Sequence, residues 1–157
     1  MPLTYVHGDA TKPIGTGNRI ITHCCNDRGF WNAGFVNALS HRWSEPERAY
    51  RRWAAGAERL PFKLGNVQFV KVETGLCVAN IIGQCGITNR SQSTPIRYAA
   101  IRQGLTSVRD LALTHNASIH MPRMGAGLAR GQWERIAEII EVELCSYGLH
   151  VTVYDHK

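Results

Sequence analysis

The sequence lacks the features that mark membrane and secreted proteins. No apolar stretch approaches the ~20 residues that a membrane-spanning helix needs. The N-terminal segment MPLTYVHGDATKP has no apolar region after a basic patch, so nothing in it indicates a secretory signal. We therefore expect a cytoplasmic protein with no membrane partner.

The cysteines also lack any metal-binding pattern. There are five, an odd number, at positions 24, 25, 77, 85 and 145, mostly within apolar stretches. No CxxC motif or Cys/His spacing of the zinc type is present. We expect reduced thiols in the core, and neither a metal nor a cofactor.

Length and charge set the next limits. A chain of 157 residues is long enough for one well-buried core and too short for two ordinary domains, and it contains no repeat, so we predict one domain over 1–157. Eighteen Lys and Arg against twelve Asp and Glu give a formal net charge of +6. This balance weakly favours anionic partners such as phosphates or nucleic acid.

Strand-like and helix-like segments alternate along the chain. Short runs rich in apolar and β-branched residues predict strands, and apolar residues at helical spacing predict helices. Ser44 is the expected N-cap of the second helix. The predicted strands are 3–9, 18–25, 66–73, 76–84, 118–121 and 149–155, and the predicted helices are 33–43, 44–57, 95–115 and 132–147. This order predicts an α/β protein with helices on both faces of its sheet.

A glycine-rich stretch follows the fifth predicted strand. Residues 121–136 read MPRMGAGLARGQWERI, with the spacing Gly125-x-Gly127-x-x-x-Gly131, which differs from the GxGxxG of dinucleotide folds. At the carboxyl end of a strand and before a helix, such glycines let backbone N–H groups approach a phosphate or pyrophosphate. The alternative is a strand-to-helix turn in which the glycines only satisfy the backbone geometry.

A second loop of the same kind lies near the N-terminus. The segment CNDRGFWNAGFVNAL (25–39) also joins a predicted strand to a helix, and Gly29 and Gly34 flank two large aromatic residues within it. Three asparagines add polar groups. Two such loops could hold one diphosphate from both sides.

The motifs together resemble a known family. HGDAT (7–11), ITHCCNDRGFWNAGF (21–35), MPRMGAGLARGQWE (121–134) and the terminal VTVYD are similar to macrodomains, which are ADP-ribose-binding modules. The similarity is greatest to the terminal ADP-ribose protein glycohydrolase type, which removes ADP-ribose from acidic side chains. The resemblance implies a three-layer α/β/α fold with a central mixed sheet of about six strands.

It also implies roles for individual residues. Asp9 would accept a hydrogen bond from the adenine amino group, with Ala10 against the ring and Tyr154 beside it. A turn-capping role for Asp9, which could coexist with adenine recognition, and plain packing for Tyr154 are the other interpretations. Asn26 would lie near the distal ribose. The two phosphate loops would be formed by Trp31, Asn32, Gly34 and Phe35, and by Pro122, Arg123, Met124, Gly125, Ala126, Gly127 and Leu128.

The sequence departs from that subgroup at its catalytic pair. The subgroup uses a lysine at the end of the fourth strand and an aspartate in the second loop. Here Gly83 or Gln84 takes the place of the lysine, and Ala129 takes the place of the aspartate. A lysyl intermediate is therefore excluded if this alignment holds.

Several functions stay open at this stage. We favour a hydrolase that releases ADP-ribose from modified acidic side chains, with a water positioned by Asn26, Asp27 or Gln84. The alternatives are a non-catalytic reader of ADP-ribose, and a hydrolase of O-acetyl-ADP-ribose or ADP-ribose phosphate. We expect a monomer whose partner is ADP-ribose or an ADP-ribosylated protein.

A nucleic-acid-binding module is a further alternative, and it would use the basic segment RAYRRW (48–53). At helical spacing, that segment is more typical of a solvated face with Tyr50 and Trp53 turned to the core. His23, in an apolar strand, is interpreted as a hydrogen-bonded core histidine.

Overall fold

The computed structural model describes residues 3–86, 95–127 and 130–156. The strands in these ranges are β1 Thr4–His7, β2 Arg19–Asn26, β3 Val67–Glu73, β4 Leu76–Gln84, β5 Ser118–Met121 and β6 Val151–Asp155. The helices are α1 Phe35–Arg42, α2 Glu45–Ala54, α3 Tyr98–His115 and α4 Trp133–Glu143, and a 3-10 turn follows at Cys145–Tyr147. No helix in the described part of the chain combines the length and apolarity of a membrane span.

The strands form one mixed sheet in the order β1-β6-β5-β2-β4-β3. Neighbouring strands are parallel except at one edge, where β3 runs antiparallel to β4 through the two-residue turn 74–75. The predicted mixed sheet of six strands is therefore confirmed.

The sheet buries both of its faces. Ile20 of β2 and Ile81 of β4 belong to the core under α3 and α4, whereas their chain neighbours Ile21 and Ile82 belong to the core under α1 and α2. All four side chains are at most 2% exposed. Burying an isoleucine contributes about 1.5–3 kcal/mol of stability. The continuous apolar runs of the central strands therefore stabilise the packing of helices on both faces of the sheet.

Helix α2 has the amphipathic arrangement that its basic sequence predicts. Tyr50 and Trp53 are fully buried, while Arg48, Arg51 and Arg52 are exposed. The interpretation of this segment as a solvated face with Tyr50 and Trp53 turned to the core is confirmed.

The start of α3 and the capping of α2 differ from the prediction. Helix α3 begins at Tyr98 rather than Pro95, because the preceding residues continue the pairing of β4: Cys85 N–H donates to the Pro95 carbonyl, and Arg97 N–H donates to the Gly83 carbonyl, both at 2.8 Å. Ser44 does precede α2, but its hydroxyl makes no capping hydrogen bond.

Packing of α3 on β4 generates a stability prediction at Gly104. Replacing glycine by alanine within a helix ordinarily stabilises it by about 1 kcal/mol. Here a Cβ would lie 2.6 Å from Cγ2 of Ile81, so we expect Gly104→Ala to lower the free energy of unfolding by about 1–3 kcal/mol, as overpacking does. Urea denaturation would measure the change. Ser107→Ala, on a half-buried position of the same helix, should be neutral or stabilising, and equal stability of the Gly104 variant would contradict this packing.

Candidate functional site

A cavity of about 580 Å³ lies at the carboxyl end of the parallel strands. It brings the two glycine loops together on opposite sides. Its lining consists of His23, Cys24, Cys25, Asn26, Phe30, Asn32, Ala33, Gly34, Phe35, Val36, Gln84, Pro122, Arg123, Met124, Gly125 and Gly127.

Most of the residues predicted for the two phosphate loops and the distal ribose line this cavity. Six other predicted residues do not: Asp9, Ala10, Asp27, Trp31, Ala126 and Tyr154. Leu128 and Ala129 lie outside the described residues.

The second loop presents open backbone to the cavity. Gly125 has φ +77°, and a Cβ there would lie 2.8 Å from Cδ1 of Ile96, so the position requires glycine. Gly127 is exposed, and a Cβ there would meet nothing within 4 Å. Within the described residues, no hydrogen bond engages the N–H groups of Gly125 and Gly127. These donors suit an anion.

The first loop ends at a helix start that faces the same cavity. Gly34, with φ 84°, is the N-cap of α1, and no acidic side chain lies in the first turn. A helix N-terminus carries partial positive charge and unpaired N–H groups. Residues from both sets of backbone donors therefore line one cavity, an arrangement that suits a diphosphate.

Asn26 is engaged in holding its own loop. Its Oδ1 accepts hydrogen bonds from Arg28 N–H at 2.9 Å and Phe30 N–H at 3.2 Å, and lies 3.0 Å from the Tyr50 hydroxyl. Its Nδ2 donates to the Phe30 carbonyl at 2.7 Å. The Asn26 amide is thus a structural support at the cavity wall, and its carbonyl oxygen is already occupied.

Asp27 and Gln84 tie the ends of two neighbouring strands together. Asp27 N–H donates to the Gln84 carbonyl at 3.0 Å, and Asp27 Oδ1 accepts the Gly86 N–H at 2.7 Å. Gln84 Nε2 donates to the Gly86 carbonyl at 3.0 Å, and Gln84 lines the cavity. Among the three predicted catalytic residues, Asn26 and Gln84 therefore line the cavity, whereas the carboxylate of Asp27 is engaged with the backbone at Gly86.

The pairing of β2 with β4 skips one residue at this point. Cys25 pairs with Ile82, and Asn26 with Gln84. The extra residue, Gly83, is buried, and a Cβ there would lie 2.5 Å from Cδ1 of Ile101. A bulge re-aims the side chain that follows it. Of the two positions that could take the place of the family lysine, Gln84 reaches the cavity and Gly83 faces the core.

Asp9 caps its own turn. Its Oδ1 accepts both the Thr11 N–H at 2.8 Å and the Thr11 hydroxyl at 2.7 Å. Partial burial raises the pKa of Asp9, but the Thr11 hydrogen bonds outweigh this and leave the pKa below its usual value. The turn-capping interpretation is confirmed. Both bonds use the same oxygen, so the geometry is compatible with a ligand at Oδ2.

Tyr154 lies beneath the loop that follows Asp9. The residue is 4% exposed, its hydroxyl accepts the Ile14 N–H at 2.9 Å, and the same hydroxyl is hydrogen-bonded to Nδ1 of His120 at 2.7 Å. Tyr154 therefore packs in the protein interior and fixes the backbone of this loop. This agrees with the interpretation of Tyr154 as a packing residue.

His23 and His120 are buried, neutral side chains. Burial lowers the pKa of each to about 4; for His23 the hydrogen bond to Asn80 opposes the shift, and for His120 the charge of Arg19 adds to it. Nε2 of His23 donates to Oδ1 of Asn80 in the buried layer between sheet and α2. The interpretation of His23 as a hydrogen-bonded core histidine is confirmed.

The cavity cysteines do not supply a nucleophile. Burial raises the pKa of the Cys24 thiol to about 12 and that of Cys25 well above its usual value. A thiol with so high a pKa is protonated at neutral pH. The five cysteines are free thiols.

Phe30 is an exposed cavity residue that the sequence interpretation missed. It is 47% exposed and lines the cavity, whereas the adjacent Trp31 is 4% exposed and donates Nε1–H to Ser40 Oγ at 2.8 Å. The sequence signal was the aromatic pair itself, directly after Gly29. Which of the two rings faces outward depends on the contacts of Trp31 with distant residues.

Comparison with solved structures identifies similar chains over the full length. A protein of unknown function from Bacteroides thetaiotaomicron is 53% identical, with a TM-score of 0.94 and coverage of 99% of this chain and 98% of that one. A macrodomain protein from Streptomyces coelicolor is 46% identical, with a TM-score of 0.87 and 99% of both chains covered. Thermosipho africanus DarTG in complex with ADP-ribose is 14% identical, with a TM-score of 0.75 over 99% of this chain and 42% of that chain, and so shares the fold.

Curated proteins match less closely. Chromodomain-helicase-DNA-binding protein 1-like from Danio rerio is 28% identical over 163 residues, and its Mus musculus counterpart is 28% identical over 160. The chain spans 16% and 17% of the length of these two relatives. The ADP-ribose glycohydrolase OARD1 of Bos taurus is 33% identical over 69 residues, covering 43% of this chain and 45% of that protein. No family model matches the chain.

The buried histidines predict a pH dependence of stability. Each has a folded pKa of about 4, against about 6.5 in an unfolded chain, and each unit of difference corresponds to about 1.4 kcal/mol. The unfolded state binds more protons between these values. The free energy of unfolding should therefore be highest above about pH 6.5 and fall as the pH decreases toward about 4.

Urea denaturation at a series of pH values would check this. His120→Gln should be less stable than the wild type near neutral pH but should lose less stability on acidification. His41→Gln, at an exposed position, is the matched control and should follow the wild type. A His120 variant whose pH profile runs parallel to the wild type would contradict the assignment.

Proposed function

The chain belongs to the macrodomain family, and we propose that it binds ADP-ribose in the cavity between the two glycine loops and releases ADP-ribose from modified acidic side chains. The observation that carries the proposal is the pair of backbone donor sets, at Gly34–Phe35 and Gly125–Gly127, facing one cavity. The cavity volume of about 580 Å³ is within the range of small-molecule sites, about 300–1,000 Å³.

Similar proteins support the ligand. The bovine relative is named an ADP-ribose glycohydrolase, and the DarTG structure of the same fold contains ADP-ribose. Two of the four motifs that resemble the family, 21–35 and 121–134, contribute residues to the lining of this cavity. Calorimetry with ADP-ribose would test the assignment directly.

The strand order suggests how the ligand lies. Asp9 follows β1 at one edge of the sheet, the glycine loops follow β5 and β2, and Gln84 ends β4 beyond them. With adenine at Asp9 and the diphosphate between the loops, the distal ribose lies beside Asn26, Phe30 and Gln84. The anomeric carbon is then at the β2–β4 end of the cavity.

The chemistry of an acyl-linked ADP-ribose does not need the missing catalytic pair. A water oxygen forms a bond to the anomeric carbon, the bond from that carbon to the glutamate or aspartate oxygen breaks, and the carboxylate leaves with the electron pair. Because a carboxyl group has a pKa of about 4, it leaves as an anion without a general acid. The proton of the water passes to an oxygen of the substrate diphosphate or to solvent.

The protein then contributes position rather than covalent chemistry. Gln84 extends into the cavity and can orient the water, while Asn26 and Asp27 hold the first loop and the end of β4 in place. Backbone N–H groups restrain the diphosphate. A protein that binds ADP-ribose and releases none would instead be a reader.

A matched pair of substitutions at Gly127 tests binding. The position is exposed and open, so both Gly127→Glu and Gly127→Gln should fold. Glutamate adds a negative charge beside the expected pyrophosphate, so it should weaken ADP-ribose binding by on the order of 10-fold or more relative to the isosteric glutamine. Calorimetry on the three proteins measures this. Absence of binding heat for the wild type at high ADP-ribose concentration would contradict the proposed ligand. Equal affinities of the two variants would show that the diphosphate does not bind beside Gly127.

Turnover is tested with a protein ADP-ribosylated on glutamate. We expect release of free ADP-ribose, and borohydride treatment during turnover should leave the chain unlabelled because it has no lysine at the strand end. Gln84→Ala should reduce kcat by on the order of 10²-fold, the effect of losing one positioning dipole. Gln132→Ala, at an exposed position before α4, is the control. Labelled protein would contradict the water mechanism. Tight binding of ADP-ribose without its release from the substrate would indicate that the protein is a non-catalytic reader of ADP-ribose.

A further inference from the structure

Phe30 is an exposed aromatic residue held in a fixed position. Its ring is 47% exposed at the cavity, although a phenylalanine gains free energy from burial. Both of its backbone polar groups are hydrogen-bonded to one side chain: the Phe30 N–H donates to Oδ1 of Asn26, and the Phe30 carbonyl accepts from Nδ2 of Asn26. The backbone of Phe30 is thus held in place, although its ring is not packed in the hydrophobic core.

The support for Phe30 extends further into the protein. Asn26 Oδ1 lies 3.0 Å from the buried Tyr50 hydroxyl, which also donates to the Asn26 carbonyl at 2.6 Å. The preceding Gly29 has φ +81°, and a Cβ there would lie 3.0 Å from Cβ of Ala54. The turn therefore packs closely on α2 and leaves little freedom to the residue that follows.

The ring stands at the reaction end of the cavity. Phe30 belongs to the loop that leaves β2, and the neighbouring β4 contributes Gln84 to the same lining. Adenine is expected at the opposite edge, beyond β5 and β6. A ligand whose diphosphate lies between the glycine loops extends its distal sugar toward Phe30.

We propose that the ring of Phe30 is the wall against which the distal ribose of ADP-ribose packs, and that Asn26 is the residue that positions it. This inference rests on the proposed function. An aromatic face offers an apolar surface to the C–H groups of a sugar and leaves the ribose hydroxyls to polar partners. Phe30 then fixes the orientation of the anomeric carbon relative to Gln84, and favours ligands that carry a second ribose over those that end at the diphosphate.

ADP-ribose and ADP provide the test, because they share adenosine and the diphosphate and differ at the terminal phosphate, which carries the distal ribose in ADP-ribose and is free in ADP. ADP-ribose carries this sugar and ADP lacks it. Phe30→Ala should weaken ADP-ribose binding by about 10-fold and leave ADP binding unchanged, while Phe30→Tyr should restore the affinity for ADP-ribose. Calorimetry with both ligands on the wild type and both variants measures the selectivity.

Asn26 is tested through the same selectivity. Asn26→Ala removes both bonds to the Phe30 backbone, so it should reduce ADP-ribose affinity more than ADP affinity. In a protein that already carries Phe30→Ala, it should have little further effect on the ratio, because the two residues act through one contact. In turnover, Phe30→Ala should lower kcat as well as raise KM, since the ribose loses its orientation.

The outcomes separate this inference from the function on which it depends. If the wild type binds neither ligand, the proposed function fails. If it binds ADP-ribose and Phe30→Ala leaves both affinities unchanged, the function stands and the Phe30 wall is overturned. Equal losses for ADP and ADP-ribose also overturn it, because they indicate general damage to the loop.

Discussion

The pairing of β2 with β4 and β5 is the interaction on which the site depends. All three strands are parallel, but the two ladders have different lengths: pairing with β5 ends at Ile21–His120, whereas pairing with β4 continues to Asn26–Gln84. Beyond Ile21, β2 continues along β4 alone. The cavity opens in the gap, so that His23 to Asn26 line one side and the residues after Met121 line the other. A crevice at the carboxyl ends of parallel strands is where open α/β sheets bind ligands.

The polar side chains around this crevice mainly stabilise its walls. Asn26 holds the Phe30 backbone, Asp27 holds the turn at Gly86, and Asp9 holds Thr11. Such local bonds from Asn and Asp compete with regular secondary structure and fix loops. Among the described lining residues, the groups that face a ligand are backbone N–H groups, the amides of Asn32 and Gln84, and the rings of Phe30 and Phe35. That set favours binding and orientation over acid–base chemistry, which agrees with the proposed reaction, whose leaving group is a carboxylate.

The sequence was sufficient for the architecture and for the two segments that line the cavity, and insufficient for the direction of individual side chains. Apolar periodicity predicts the strands and helices because both faces of the sheet are buried. It misplaces the start of α3, since residues 95–97 pair with the end of β4, a long-range contact that no local pattern reports. The resemblance to macrodomains located both glycine loops. It could not show that the bulge at Gly83 turns Gln84 into the cavity, or that Ser40 draws Trp31 inward and leaves Phe30 outside.

The net charge of the chain and the anion binding proposed for the cavity have separate physical origins. Among the described lining residues the one charged side chain is Arg123, and its guanidinium is paired with Asp155, with NH2 3.1 Å from Oδ2. His23 is neutral, because burial lowers its pKa to about 4. The exposed arginines of α2 lie on the outer face of that helix. In the proposed site, attraction for a diphosphate therefore comes from aligned backbone dipoles at short range, which salt screens less than exposed charge pairs. The formal charge of +6 pointed toward anions, but the proposed binding of the diphosphate rests on the backbone at Gly34, Gly125 and Gly127.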